Sequence, residues 1–95
     1  MLATRALSYV VREDFAAASH WAERGAKAPN AHVHIRAITA FSHQLAGNGE
    51  AARHWASEVR RTDPGYRRDS FFKAFPFRDA HIRGLIEQAL KQLGI

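Results

Sequence analysis

The stretch that decides the fold is His20-Trp21-Ala22, because the same three residues recur at His54-Trp55-Ala56. Tryptophan is scarce in this chain, and its two copies, Trp21 and Trp55, both lie inside these HWA triplets. A rare residue that returns in the same short context indicates either a chemical motif used twice or a structural unit built twice. The residues around the triplets distinguish these two interpretations.

Identities between the two segments extend beyond the triplets. Placing residues 1–28 over residues 35–62 aligns eight identical pairs. Besides the triplets, the pairs are Ala3 with Ala37, Ala6 with Ala40, Ser8 with Ser42, Ala17 with Ala51, and Ala18 with Ala52. The period of this alignment, about 34 residues, is the length of a unit made of two helices and a turn. The pattern therefore predicts a helical repeat rather than a chemical motif.

Helical periodicity and turn residues place the first four helices. The first helix covers residues 2–11 and ends at the polar break Arg12-Glu13-Asp14. The second ends at Pro29-Asn30, because proline cannot continue a helix. The third runs from about Ala31 to Ala46 and is followed by the turn Gly47-Asn48-Gly49. The fourth carries the second triplet and stops before Asp63-Pro64-Gly65.

The last third of the chain predicts two more helices of unequal length. Residues 67–75 form a short helix that Pro76 ends after about two turns. Asp79 can then cap a final helix. That helix has a regular apolar stripe, which consists of Ile82, Leu85, Ile86, Ala89 and Leu93.

The pattern over residues 1–64 resembles the tetratricopeptide repeat, as two units. The residues that carry the resemblance are Ala40, Gly47, Ala52 and Pro64 in the second unit, and Ala6, Tyr9, Phe15 and Ala18 in the first. It implies an all-α, antiparallel helix-turn-helix superhelix in one domain, residues 1–95. Repeat 1 then spans about 1–30, repeat 2 about 31–64, and a degenerate unit with a C-terminal capping helix spans 65–95. The residues with a structural role are Trp21, Trp55, Ala18, Ala52 and Pro64.

The ending FPFRDAHIRGLIEQALKQLGI, residues 75–95, carries a second resemblance. It is similar to the terminal segment that follows the catalytic domain in bacterial class III adenylate or guanylate cyclases. That resemblance implies that the chain is the C-terminal regulatory part of a larger bacterial signalling protein. The chain itself is then expected to be neither an enzyme nor the holder of a cofactor.

Composition excludes some classes of site. The chain has no cysteine, which rules out disulfides, thiolate metal sites and cysteine nucleophiles. No apolar run approaches the length of a membrane span, so we expect no membrane partner and a cytoplasmic location. Fourteen basic residues against nine acidic ones give a formal charge of +5, which is compatible with an acidic partner.

Candidate catalytic and metal-binding residues do not form a recognisable arrangement. His32 and His34 are two residues apart, which on a regular helix separates them by about 200° and prevents joint chelation. The serines lie in helical patterns without the strained turn that presents a nucleophile. Gly47-Asn48-Gly49 lacks the lysine and the preceding strand of a phosphate-binding loop. We therefore predict no metal and no active site in this chain.

Tetratricopeptide arrays bind proteins in a groove lined by the first helix of each unit, which gives this chain a predicted groove. The resemblance places nine residues there: Ala3, Leu7, Val10, His34, Ala37, Phe41, Gln44, Arg68 and Phe71. A groove of this apolar character suits an apolar helix, which another copy of the chain can also supply. The outer face of the first helix, with Leu2 and Leu7, is expected to need a cover. We expect an upstream segment of a longer protein to supply it, and a second chain to supply it in the isolated piece.

The segment from Arg60 to Lys73 supports an alternative function. Its charged residues are Arg60, Arg61, Arg67, Arg68 and Lys73, and they alternate with Tyr66, Phe71 and Phe72. Basic and aromatic side chains together hold single-stranded nucleic acid, so this segment is the basis of the second hypothesis. In the structural interpretation, which the sequence favours, the arginines remain solvated and four phenylalanines anchor the degenerate unit against the tryptophan helix: Phe71, Phe72, Phe75 and Phe77.

Overall fold

The computed structural model describes the backbone of residues 2–95 and the side chains from Thr4 onward. Residues 2–95 form six α-helices and no strand. They are α1 (Leu2–Val11), α2 (Phe15–Ala26), α3 (Val33–Leu45), α4 (Gly49–Thr62), α5 (Arg68–Ala74) and α6 (Ala80–Gln92). The side chains of Leu2 and Ala3, which the sequence assigns to the outer face and to the groove, lie outside the described residues.

The observed helices agree with the expected ones to within a residue, apart from the end of α2 and the start of α3. Helix α2 ends at Ala26, three residues before Pro29, with the amide of Lys27 donating to the carbonyl of Glu23. The residue before a proline disfavours helical dihedral angles, so the helix ends before the proline itself. The third helix likewise begins at Val33 because His32 is its N-cap, in an extended conformation.

The first two helical hairpins repeat the same turn. After α1, Glu13 has a positive φ of 59°, and the amide of Asp14 donates to the carbonyl of Tyr9. After α3, Gly47 has a φ of 89°, and the amide of Asn48 donates to the carbonyl of His43. Both are the left-handed helix ending in which the chain reverses direction. The repeat in the sequence is therefore also a repeat of the backbone.

Alanines at equivalent positions of the two repeats lie in the core. The pairs Ala6 and Ala40, Ala18 and Ala52, and Ala22 and Ala56 are fully buried. A methyl side chain lets neighbouring helices approach closely and loses little rotamer entropy on burial. Each of the first three helices packs along the next one in the chain.

The C-terminal third of the chain folds back onto α3. Phe71 of α5 is fully buried, with its ring centroid 5.2 Å from that of Phe41 on α3. Helix α6 is capped by Asp79, whose side chain accepts from the amides of His81 and Ile82. It also packs against α3. As a result, one side of α3 is covered by the chain's own last two helices.

Candidate functional site

The most connected polar group in the described structure joins α2, α3 and α4. The indole Nε1 of Trp55 donates to Oε1 of Glu23 over 3.0 Å, and Nε2 of His43 lies 3.2 Å from the same oxygen. The amide nitrogen of Asn48 lies 3.4 Å from Nδ1 of His43. We call Glu23, His43, Asn48 and Trp55 the carboxylate cluster. It holds one carboxylate between two donors contributed by the next repeat.

Hydrogen bonding keeps the carboxyl group of the carboxylate cluster ionised. Burial opposes the charge of Glu23, but the hydrogen bonds from Trp55 and His43 and the nearby Lys27 outweigh it and lower the pKa. The second oxygen of Glu23 lies 3.6 Å from Nζ of Lys27. Both ring nitrogens of His43 lie within hydrogen-bond distance of a partner, Glu23 on one side and Asn48 on the other. The cluster therefore connects α2, α3, α4 and the turn between the last two.

An open cleft of about 720 Å³ lies beside the carboxylate cluster. Its wall includes the α3–α4 turn, Glu50 and His54. The rings of His54 and Trp55 meet edge to face at 5.2 Å and 79°. His20 and Trp21 meet at 5.3 Å and the same angle, so the two triplets have one local geometry. The surroundings of the two tryptophans, by contrast, differ.

The two tryptophans differ in burial: Trp55 is buried in the core, and Trp21 is partly exposed at the surface. Trp55 is only 7% exposed, whereas Trp21 is half-buried, with the guanidinium groups of Arg5 and Arg24 lying 4.5 and 4.9 Å from its ring centroid. Within the part of the chain that the structure describes, the Trp21 indole N–H has no hydrogen-bond acceptor. The two arginines lie over the ring in cation–π contacts.

The same contrast extends along α1. A shallow groove of about 470 Å³ is lined by Thr4, Arg5, Ser8, Tyr9 and Arg12, which we call the outer face of α1. The first four of these stand one repeat period before Ile38, Thr39, Ser42 and His43. Those four α3 residues are buried, and His43 contacts α2 through Glu23. None of the four α1 residues is buried, and three of them are exposed. The outer face of α1 thus corresponds to the surface on which α2 packs in the second repeat.

The predicted groove is largely occupied by the chain itself. Four of its residues, Val10, Ala37, Phe41 and Phe71, are fully buried. While α5 and α6 lie on α3, a partner cannot reach these side chains. The sequence correctly predicted which side of α3 faces inward, but not that α5 and α6 would cover that side.

The other described groove residues are partly accessible. Leu7 packs against the core, and Gln44 donates to the side chain of Gln92 on α6. Arg68 donates to the main-chain oxygen of Ile95. The structure therefore brings groove residues of α3 and α5 into contact with each other and with the C-terminal part of the chain, while Leu7 lies on the neighbouring α1.

His34 joins α3 to the loop before α5. Its Nδ1 lies 2.7 Å from the hydroxyl of Tyr66, and burial lowers the pKa of His34 and raises that of Tyr66. The rings of His32 and His34 stack at 4.7 Å, contrary to the expectation that they point apart, because His32 precedes the helix in an extended conformation. No third potential ligand joins them to form a metal-binding group within the described residues.

The basic and aromatic segment lacks exposed rings. Tyr66, Phe71 and Phe72 are buried, so their faces are not available to stack on nucleic-acid bases. Arg60 donates to the main-chain oxygen of Leu93, and Arg61 pairs with Glu58. The phenylalanines anchor α5 against Phe41 of α3 rather than against the tryptophan helix α4. Much of the segment's charge and aromatic surface therefore serves internal contacts.

The structural-role residues of the sequence prediction fall in two places. Ala18 and Ala52 are buried in the core, while Pro64 is exposed in the α4–α5 connection.

Among the described helices, none is both long and apolar enough to pass through a membrane. Comparison of the chain with protein families, curated proteins and solved structures gave no match.

Proposed function

We propose that the chain is a non-catalytic protein-interaction module, built as a tetratricopeptide-like stack, whose outer face of α1 receives a helix of a partner. The observation that carries this proposal is the contrast between two equivalent surfaces. Thr39 and Ser42 of α3 are fully buried in the fold, while Arg5 and Ser8 are exposed at the equivalent positions of α1. The first repeat thus offers the surface that the second repeat uses for stacking.

The predicted groove has a smaller part in this proposal than its sequence suggests. Its central residues, Ala37 and Phe41, are fully buried; Phe41 contacts Phe71 of α5, and α6 also packs on α3. An apolar helix would therefore have to displace these two helices before it reached them. Docking on α1 requires no such rearrangement, because that face is already accessible.

The resemblance of residues 75–95 to the endings of bacterial nucleotide cyclases supports a further part of the proposal. In this part, the module is the C-terminal regulatory region of a cytoplasmic signalling protein, and its partner helix transmits or receives the signal. The sequence encoded immediately before Met1 tests this part directly. A cyclase catalytic domain there is the expected finding, and an unrelated or absent coding sequence would contradict it.

Site-specific photo-crosslinking tests the interaction itself. A photoreactive phenylalanine analogue at Ser8, on the outer face of α1, is expected to crosslink in cells to one protein, identified by mass spectrometry. The matched control places the analogue at Arg53, which is exposed on α4. Equal crosslinking at the two positions, or none at Ser8, would contradict docking on this face.

A further inference from the structure

The internal repeat supplies a filled and an open version of the same site. In the filled version, the carboxylate of Glu23 is bound by the indole N–H of Trp55 and the ring nitrogen of His43. In the open version, Trp21 stands at the position of Trp55, and Tyr9 stands at that of His43. Tyr9 differs from histidine in type, but its hydroxyl is also a donor. Both donors of the filled site are therefore present again in the first repeat.

The backbone supports this equivalence independently of the residue types. Tyr9 and His43 each accept, through the main-chain carbonyl, the amide that closes the turn after their helix. Trp21 and Trp55 each meet the preceding histidine at 79°. Tyr9 and Trp21 therefore occupy positions in the first hairpin that match those of His43 and Trp55 in the second.

The charge around the open site favours an anion. Arg5 and Arg24 lie over the Trp21 ring, and the guanidinium of Arg12 lies 5.8 Å from the ring centroid of Tyr9. No acidic residue lines the groove on the outer face of α1. Three arginines around two neutral donors attract a carboxylate, and the attraction strengthens as a partner excludes water.

We infer that Tyr9 and Trp21 form a receptor for a glutamate or aspartate carried by a partner helix, which packs on α1 as α2 packs on α3. The inference rests on the proposed function and adds the chemistry of its partner. The occupant is a helix of a different protein. If a segment encoded immediately before Met1 protects the Trp21 indole in the longer protein, that choice of occupant is overturned. Two copies of this chain paired through this face would bring Arg5 and Arg12 of each against those of the other.

Nuclear magnetic resonance provides a direct readout, because the two indole N–H groups of the chain give separate signals that the Trp21→Phe variant assigns. The probe is an alanine-rich helical peptide with one central glutamate, long enough at about 16 residues to populate a helix. We expect the Trp21 signal to shift on titration while the Trp55 signal stays. Replacing the glutamate by glutamine should weaken binding about tenfold, as expected for a lost hydrogen bond to a charged group.

Protein variants locate the contacts. Tyr9→Phe removes the hydroxyl and should weaken binding several-fold, at about the strength of one hydrogen bond. Arg24→Gln should weaken it and reduce its dependence on salt, whereas Arg78→Gln, at an exposed position far along the chain, should leave it unchanged. Circular dichroism checks that each variant keeps the helical content of the parent chain.

Several outcomes would overturn the inference. Equal affinity for the glutamate and glutamine peptides would show that the carboxylate does not contribute to binding. An equal shift of the Trp21 signal with free acetate would show that the helix does not contribute. A Trp21 signal that moves with protein concentration alone, together with a dimer in sedimentation, would assign the face to a second copy. If Ser8 crosslinks to a partner but the acid-to-amide change has no effect, the proposed function stands and this inference fails.

Discussion

Trp21 and Trp55 share their sequence neighbours and the geometry of the adjacent histidine, yet they differ in what covers them. Glu23 closes over Trp55 from the preceding repeat, and its carboxylate accepts the indole proton. Arg5 and Arg24 lie over the ring of Trp21 and reduce its contact with water. No neighbouring helix in the described structure supplies Trp21 with a carboxylate as α2 does for Trp55. The two repeats thus differ in whether a carboxylate from a preceding helix binds the tryptophan N–H.

Truncating the two tryptophans should have unequal effects on stability. Trp55→Ala removes a buried ring and one of the donors to Glu23, so the free energy of unfolding should fall by about 3–5 kcal/mol. Trp21→Ala removes a half-buried ring, and the loss should be about 1–2 kcal/mol. Urea denaturation of both variants measures the difference. Equal losses, or a loss below about 1 kcal/mol for Trp55→Ala, would show that the two environments are not as described.

The carboxylate cluster should make the free energy of unfolding depend on pH in the acid range. The hydrogen bonds to Glu23 lower its pKa in the folded chain below the ordinary value of 4.5. The stabilisation is therefore present above that value and is lost as the pH falls through the folded pKa. Urea unfolding from neutral pH down to about pH 3 should show this loss, and Glu23→Gln should reduce it. An unchanged acid dependence in the variant would contradict the role of this group.

At the scale of the helix, the position of α5 and α6 on α3 determines which surfaces remain open. Phe71 provides the central contact, because its ring meets Phe41, Phe72, Phe75 and Phe77. Phe41 and Phe71 are both fully buried. The side of α3 that the sequence assigns to a partner is thus part of the core.

Removing the central ring should loosen this contact. Phe71→Ala should lower the free energy of unfolding by about 3–5 kcal/mol and increase the binding of a hydrophobic dye, because Phe41 loses its cover. Phe75→Ala is the matched control, since Phe75 is only partly buried and its loss should be smaller. If the two variants have the same stability and dye binding, Phe71 does not anchor α5 on α3.

The end of α6 depends on two arginines from other elements. Arg60 and Arg68 donate to the main-chain oxygens of Leu93 and Ile95 over 2.8 and 2.9 Å. Removing both with Arg60→Gln and Arg68→Gln should cost about 1–3 kcal/mol and speed amide exchange in the last turn. Arg67→Gln, at an exposed neighbouring position, is the control. A double variant that behaves like Arg67→Gln would contradict this role.

Local signals predicted the helices well, and contacts between distant segments account for what they missed. The Pro and Gly positions and the repeat period located α1 to α4, since these features act on neighbouring residues. The contact of Phe71 with Phe41 joins residues far apart in the sequence, and no local pattern specifies it. The sequence also assigned Leu7 to the uncovered face of α1, but Leu7 packs against the core and the polar residues Arg5 and Ser8 are exposed.

On the scale of the whole molecule, the two similar hairpins differ in what packs against them. The second hairpin is covered by α2 on one side and by α5 and α6 on another. The first hairpin contacts the second but presents the polar and basic outer face of α1 to solvent. With a net charge of +5, the molecule as a whole also attracts an acidic partner, and this attraction should weaken as salt is added.

The central claim is that the first repeat is open where the second is closed, and solvent exchange of the two indole protons measures this most directly. In the isolated chain, the Trp55 proton should exchange slowly, because it is buried and bonded to Glu23. The Trp21 proton should exchange rapidly and become protected when a carboxylate-bearing helix binds. Equal protection of both protons in the isolated chain would contradict the account.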